Sequence, residues 1–229
     1  MSNAGEQLGT RLSGARRVIA QRMMQSLTTT AQLTYQTEVD VTELLARRSA
    51  WKAAGLRIGV EDCAIAALAQ ALAAQPELNG TTAGEMLQLE SAVDVSVAIS
   101  IGDALMIPVI RDAASLDLPG LAAARADLVA RARAGRLQVS EMKGGTTTIS
   151  NLGLTVVRHF TPILNGGQLT LLGLGRVETH LARNDAGEIV DRQTLGLSLT
   201  ADHRIIDGEP AGRFLAAVCE RLRTLDLDD

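Results

Sequence analysis

Residues 93–101 read Val-Asp-Val-Ser-Val-Ala-Ile-Ser-Ile, with a β-branched residue at every second position and a polar or small residue between each pair. A period of two belongs to a strand that buries one face. Gly102-Asp103 supplies a turn and Leu105 to Ile110 returns, so the segment predicts a β-hairpin. Elsewhere the spacing becomes helical. Ile65, Leu68, Ala69 and Leu72 form a stripe within 60–75, which Pro76 closes, and Phe214, Leu215, Val218 and Leu222 form another between Glu209 and Leu225. Helices are also expected at 15–27 and 42–54. A further one is capped by Asp117, with Pro119 in its first turn and Gly135 at its end. Strands are expected at 33–41, 146–151, 168–177 and 195–201, and the apolar stretch Leu169 to Leu174 suits a central position. The pattern predicts one α+β domain, a mixed, mainly antiparallel sheet with helices packed on it.

Composition narrows the function. Aromatic residues are 2% of the 229, so the core is aliphatic. A net charge of −4 offers no broad basic face for nucleic acid. No run of about 18 apolar residues is present to span a membrane. Cys63 and Cys219 stand apart in helix-like apolar runs. No CxxC or Cys/His cluster suggests a metal site, and a reduced, cytoplasmic setting is expected. Of 22 basic residues only Lys52 and Lys143 are lysines. Met1-Ser2-Asn3-Ala4 resembles an expression-tag remnant, residues 5–14 read as a polar, glycine-rich N-terminal arm, and 15–229 as the folded domain.

Three histidines are candidates for chemistry. His159 and His180 have no acidic or nucleophilic neighbour at useful spacing in the sequence. His203 sits where the strand Leu197-Ser198-Leu199-Thr200-Ala201 ends, flanked by Asp202 and Arg204, with Asp207 four residues on and Gly208 after it. Strand ends feeding loops are where rigid scaffolds present reactive groups. By itself HxxxD is an ordinary polar turn. Residues 144–153, GGTTTISNLG, lead a β-branched strand to Ser150-Asn151. No GxSxG elbow surrounds Ser150, which disfavours a hydrolase nucleophile and leaves a hydrogen-bond donor to an oxyanion.

Together these segments resemble the catalytic domain of dihydrolipoamide acyltransferases, the core subunits of 2-oxo acid dehydrogenase complexes. The resemblance runs in order through Arg16-Arg17-Val18-Ile19-Ala20, Glu38-Val39-Asp40-Val41-Thr42, Pro76-Glu77-Leu78-Asn79 and Pro108-Val109-Ile110. It continues through Thr148 to Gly153, Phe160, Pro162, Ile163 and Asn165, and ends at Asp202-His203-Arg204 with Asp207-Gly208. Gly166-Gly167 stands where the family usually has two prolines or a similar pair, and Leu154 to Val157 replaces a more glycine-rich stretch.

The resemblance implies a chloramphenicol-acetyltransferase-like domain over 15–229 that exchanges an acyl group, acetyl or branched-chain, between dihydrolipoamide and coenzyme A. A thiol with pKa near 8.5 needs a base near 6.5, which suits His203. Ser150 would donate to the oxyanion, with Asn151 supporting. Asp207 would either orient His203 or pair with an arginine, for which Arg16 is the candidate. No metal is needed. The lipoyl group would be carried on another domain or protein, since neither Lys52 nor Lys143 lies in a lipoyl-like hairpin. The expected partners are two further copies in a homotrimer, with His203 and Ser150 from different chains, a lipoyl domain, and the decarboxylase and dihydrolipoamide dehydrogenase components. A larger shell would use Leu225 and Leu227. Another coenzyme A-dependent acyltransferase of the superfamily, or a non-catalytic scaffold core, are the alternatives.

Overall fold

The computed structural model describes residues 11–12, 14–102 and 104–227. The segment expected to be a tag remnant, and most of the expected arm, lie outside them; Gly14 already belongs to the first helix.

Helices α1 (Gly14–Thr29), α2 (Thr42–Ala53), α3 (Val60–Ala74), α4 (Leu118–Arg133) and α5 (Gly208–Thr224) lie close to their expected positions. Asp117 caps α4 as anticipated, its Oδ1 accepting from Gly120 N–H at 2.8 Å. In α3 ten residues are buried, so it is an interior helix with apolar contacts on nearly every side. Its start is fixed by Gly59 N–H donating to Asp62 Oδ2 at 2.7 Å, and fully buried Asp62 is bound in turn by Arg125 of α4.

The main sheet has the order β1 (Gln32–Asp40), β10 (Ile189–Asp202), β9 (Thr170–Arg183), β8 (Thr147–Asn151), β4 (Val95–Val97), β7 (Val109–Ile110). Strand β8 runs parallel to both neighbours and the other pairings are antiparallel, so the sheet is mixed as expected, with β9 central. Two small ribbons stand apart, β2 (Gly80–Ala83) with β3 (Met86–Leu89) and β5 (Ile99–Ile101) with β6 (Ala104–Met106).

Three expectations change. The alternating run 93–101 is not one strand. It breaks at Ala98, whose N–H bonds to Ile149 O, and Val97 N–H bonds to Pro108 O; beyond the break β5 and β6 leave the main sheet. Pro108 lacks an N–H for the ladder, so the return strand is split as well. Asp103 of the turn lies outside the described residues. Second, β9 and β10 run on to Arg183 and back from Ile189, well past the expected 168–177 and 195–201, because cross-strand pairing sustains the polar segment 178–194 that lacks an apolar pattern. Third, the β2–β3 ribbon was not anticipated. Its mostly exposed residues carry no buried-face alternation.

One sheet face is close-packed under the helices. Ile149, Leu172, Leu174, Leu195, Leu197, Leu199 and Ala201 are at most 1% exposed and join Leu68, Leu72, Phe214 and Val218 in the core. The opposite face is crossed by the β8–β9 connection, residues 152–169, which contains no helix although parallel strands are usually joined by one. This strap is held by Thr200 Oγ1 donating to Pro162 O (2.7 Å), Phe160 N–H donating to Ser198 Oγ (3.3 Å) and Ser26 Oγ donating to Leu164 O (2.6 Å). It lies so close that a Cβ on Gly175 or Gly196 would stand 1.7 or 2.2 Å from Arg158 O. Cys63 and Cys219 are free and buried, and burial pushes the Cys63 thiol up to about 12. Leu225 is 1% exposed and Leu227 packs against the same core, so the residues considered for shell contacts serve the chain's own interior. No described helix is long and apolar enough to cross a membrane.

Candidate active site

At the end of β10 the Asp202 carboxylate accepts from Arg204 Nε at 3.0 Å and Nη2 at 2.6 Å, from Arg204 N–H and from Ala31 N–H. Burial works to raise its pKa, but these donors outweigh burial and hold it below the ordinary value. Arg204 reaches on to Thr82 Oγ1 at 3.0 Å, and His203 N–H donates to Ala31 O at 2.7 Å. The loop is thus clamped between the α1–β1 junction and β2. The imidazole itself is 43% exposed.

Asp207 stands at the N-cap of α5, yet its side chain accepts no helix N–H. It turns to His203, with Oδ1 3.8 Å from Nδ1. That exceeds hydrogen-bond length, so the pair is an open electrostatic contact rather than an orienting bond. Arg16 is exposed, and the rise of α1 puts it about 20 Å from the helix end next to the His203 loop. His159 and His180 do have carboxylate neighbours through space, Glu38 at 3.6 Å and Glu178 at 3.9 Å. Glu38 comes from a different strand, so sequence spacing could not reveal it.

Ser150 points to the strap face, into a cavity of about 280 Å³. Phe160, Pro162, Ile163, Leu171, Leu105 and Met23 supply most of its apolar lining. In register Ser150 pairs with Gly173, and a Cβ there would meet the Phe160 ring at 2.7 Å. A smaller cavity of about 140 Å³ adjoins it across Met23, Leu105, Ile107 and Asn165 and carries Arg22 and Lys143.

Successive strand residues alternate faces, so Asn151 points the other way. Its Oδ1 accepts from Gly153 N–H at 2.8 Å. It supports the turn after Ser150 rather than the serine's own cavity. Asn151, Glu61, Leu154, Leu174 and Val177 line a second cavity of about 380 Å³. Across Arg48, Gly59 and Arg125 this opens into a groove of about 830 Å³ that holds Arg48, Lys52 and Arg57 and no carboxylate in its lining. Arg125 is tied to Asp62 and Glu61; Arg48, Lys52 and Arg57 make no ion pair among the described residues. The pair of cavities suits a ligand with phosphates at one end and a long uncharged arm at the other. The sequence reading missed these cations. Arg48 and Lys52, four apart on α2, share one helix face, and that spacing was the available signal.

Ser150 and His203 do not meet within one chain. Ser150 is level with Gly173 and Ser198, whereas His203 lies five residues beyond Ser198 and two strands across. At about 3.3 Å per residue and 4.8 Å per strand they stand about 20 Å apart.

The chain matches the family model of 2-oxoacid dehydrogenases acyltransferase (catalytic domain) over residues 5–227. It is 37% identical over 213 residues to the dihydrolipoyllysine-residue acetyltransferase component of the acetoin cleaving system of Bacillus subtilis, covering 90% of this chain and 53% of that one. It is 33% identical over 219 residues to the succinyltransferase component of the 2-oxoglutarate dehydrogenase complex of Rickettsia bellii, covering 93% and 54%. The chain thus spans about half the length of these relatives.

Among solved structures it matches Azotobacter vinelandii dihydrolipoamide acetyltransferase with TM-score 0.89, 32% identity and coverage of 96% and 93%. That structure comes from an investigation of a serine, a histidine and, four residues beyond it, an asparagine in that enzyme's catalytic mechanism. The cubic core of a pyruvate dehydrogenase multienzyme complex matches with TM-score 0.87, 30% identity and coverage of 96% and 93%. Chloramphenicol acetyltransferase, at TM-score 0.56, 18% identity and coverage of 88% and 94%, shares the fold.

Proposed function

Given that the chain belongs to the family of 2-oxo acid dehydrogenase acyltransferase catalytic domains, we propose that it moves an acyl group between coenzyme A and a dihydrolipoyl group carried on another domain or protein. The observation that carries this reading is the pair of cavities flanking the Ser150–Asn151 strand end, one apolar and one opening into cations. Arg48, Lys52 and Arg57 hold the phosphates of coenzyme A, and its uncharged arm lies in the 380 Å³ cavity beside Asn151, at the strand end that carries Ser150.

In the reaction His203 takes the proton from the attacking thiol and leaves a thiolate, which adds to the thioester carbonyl. The carbonyl oxygen becomes an oxyanion, and Ser150 Oγ–H donates to it. Collapse breaks the old C–S bond, and His203 returns the proton to the leaving thiolate. No covalent enzyme intermediate is needed. The Asp207 carboxylate faces the imidazole from 3.8 Å. The lining around Ser150 is mostly apolar, which suits an uncharged acyl group such as acetyl or a branched-chain acyl.

Two groups about 20 Å apart cannot act on one carbonyl, so the site takes His203 from one copy and Ser150 from the next. A homotrimer closed by heterologous contacts provides three such sites. Dihydrolipoyl-bearing domains, and the decarboxylase and dihydrolipoamide dehydrogenase components, are the partners of that assembly.

The test is complementation. Ser150→Ala and His203→Ala chains, refolded separately, should be impaired at every site. Refolded together, mixed trimers contain interfaces with both groups intact, and a sizeable fraction of the wild-type rate should return. Mixed trimers seen by native mass spectrometry with activity still at the mutant level would refute the shared site.

A further inference from the structure

The Ser150 cavity of about 280 Å³ meets the smaller one of about 140 Å³ on one side, and Met23, Leu105, Ile107 and Asn165 line both. Side chains that line two adjoining cavities stand between them, so these four form a partition. Behind it lie Arg22 and Lys143, with no carboxylate in the lining. Neither cation makes an ion pair among the described residues.

Met23 reaches the partition by helical spacing. Ile19, Met23 and Ser26, at i, i+4 and i+7, share one face of α1. One turn beyond Met23, Ser26 Oγ donates to Leu164 O at 2.6 Å, Gln32 Oε1 accepts from Leu164 N–H at 3.0 Å, and Gln32 Nε2 donates to Ser26 Oγ at 3.0 Å. The residues on either side of Leu164, Ile163 and Asn165, line the Ser150 cavity. Helix α1 is thus fastened to the strap beside the partition, which holds Met23 in place. An unbranched thioether fills an irregular gap of this kind well.

An acyl group whose carbonyl oxygen meets Ser150 has the rest of its chain in this cavity. A short uncharged chain is accommodated there. A carboxylate at the far end of the chain would be left in mostly apolar surroundings, with the two cations on the other side of the wall. We propose that Met23 is a specificity-determining residue of the transfer: it closes the Ser150 cavity against Arg22 and Lys143, restricts the site to uncharged acyl groups, and covers a subsite able to take a carboxylate-bearing one. The inference rests on the proposed transfer and on Ser150 as the oxyanion donor. Arg22 is next to Met23 in the chain, so shortening the one side chain opens the way to the other.

The experiment measures kcat/KM of the full trimeric enzyme with dihydrolipoamide and acetyl-, butyryl- or succinyl-CoA. The variants are Met23→Ala and the triple variant Met23→Ala/Arg22→Ala/Lys143→Ala. The wild type should prefer acetyl over succinyl. Met23→Ala should raise the succinyl-to-acetyl ratio about tenfold or more, because the wall is gone and the carboxylate gains cations to pair with. The triple variant should lose that gain while keeping the ratio of butyryl to acetyl seen in Met23→Ala, since butyryl has no charge to pair. A merely structural disturbance would lower all three groups alike. An unchanged succinyl-to-acetyl ratio in Met23→Ala, a gain that survives the loss of Arg22 and Lys143, or a wild type that already prefers succinyl overturns the proposal. A wild type that transfers none of the three groups overturns the transfer reading and this inference with it. If Met23→Ala does not fold, Leu105→Ala opens the same partition from β6 and should shift the ratio in the same direction.

Discussion

On one face of the sheet Ile149, Leu172, Leu197 and Leu199 are sealed beneath α3 and α5; on the other, Thr148, Ser150, Ser198 and Thr200 lie beneath a strap with no helix in it. Both faces come from the same strands, one residue apart. The helix face is held by non-directional burial, which close packing makes strong and indifferent to chemistry. The strap face is held by individual hydrogen bonds at 2.6–3.3 Å and by glycines that admit backbone, and it leaves cavities beside Ser150. Stability and reactivity are thus segregated by the two-residue period of a strand, and a change on one face should leave the other's property intact.

The sharpest test of that segregation is His203→Ala. Loss of general-base help should cut turnover about 10²- to 10⁴-fold with the melting temperature unchanged. A purified variant turning over at the wild-type rate would break the base assignment; one that unfolds would break the segregation. The converse change is Phe214→Ala in α5, where a side chain at 0% exposure is removed. It should cost about 3–5 kcal/mol in urea unfolding. Molecules that remain folded should keep kcat, since the strap face is untouched.

A smaller effect is expected at the cationic groove. Lys52→Ala/Arg57→Ala should raise KM for acyl-CoA about tenfold, with kcat little changed, because these contacts are equal in ground and transition states. A fall in kcat with unchanged KM would move the phosphate site elsewhere.

The least effect concerns acid. The Asp202 carboxyl sits below its ordinary 3.8 in the folded chain, so its contribution to stability is complete above that value and is lost as the pH falls through the lowered one. Asp202→Asn should flatten that part of the acid-unfolding profile; an unaltered profile would mean that other carboxylates govern it.

Much of this was legible from residues alone. Helical periodicity placed α2, α3 and α5 to within two residues, because burying one stripe of a helix leaves a local record at i, i+3 and i+4. The GGTTTISNLG and Asp202-His203-Arg204 segments marked the strand ends that carry the candidate residues Ser150 and His203. The sequence was less informative where pairing is non-local. The run 93–101 alternates perfectly and still breaks at Ala98, because the hydrogen bonds that bend it come from Ile149 and Pro108. The polar half of the β9–β10 hairpin has no apolar pattern to announce it.

The class of fold, the apolar faces and the candidacy of Ser150 and His203 could be read from residues and their nearest neighbours along the chain. That Asn151 turns from Ser150 to share a cavity with Glu61, that Arg48, Lys52 and Arg57 gather in one groove, and that serine and histidine stand about 20 Å apart came from the folded chain. Those facts depend on register, on which strand lies beside which and how far each is shifted. Register is set by the sum of many weak contacts across the whole sheet, and no short stretch of sequence carries it.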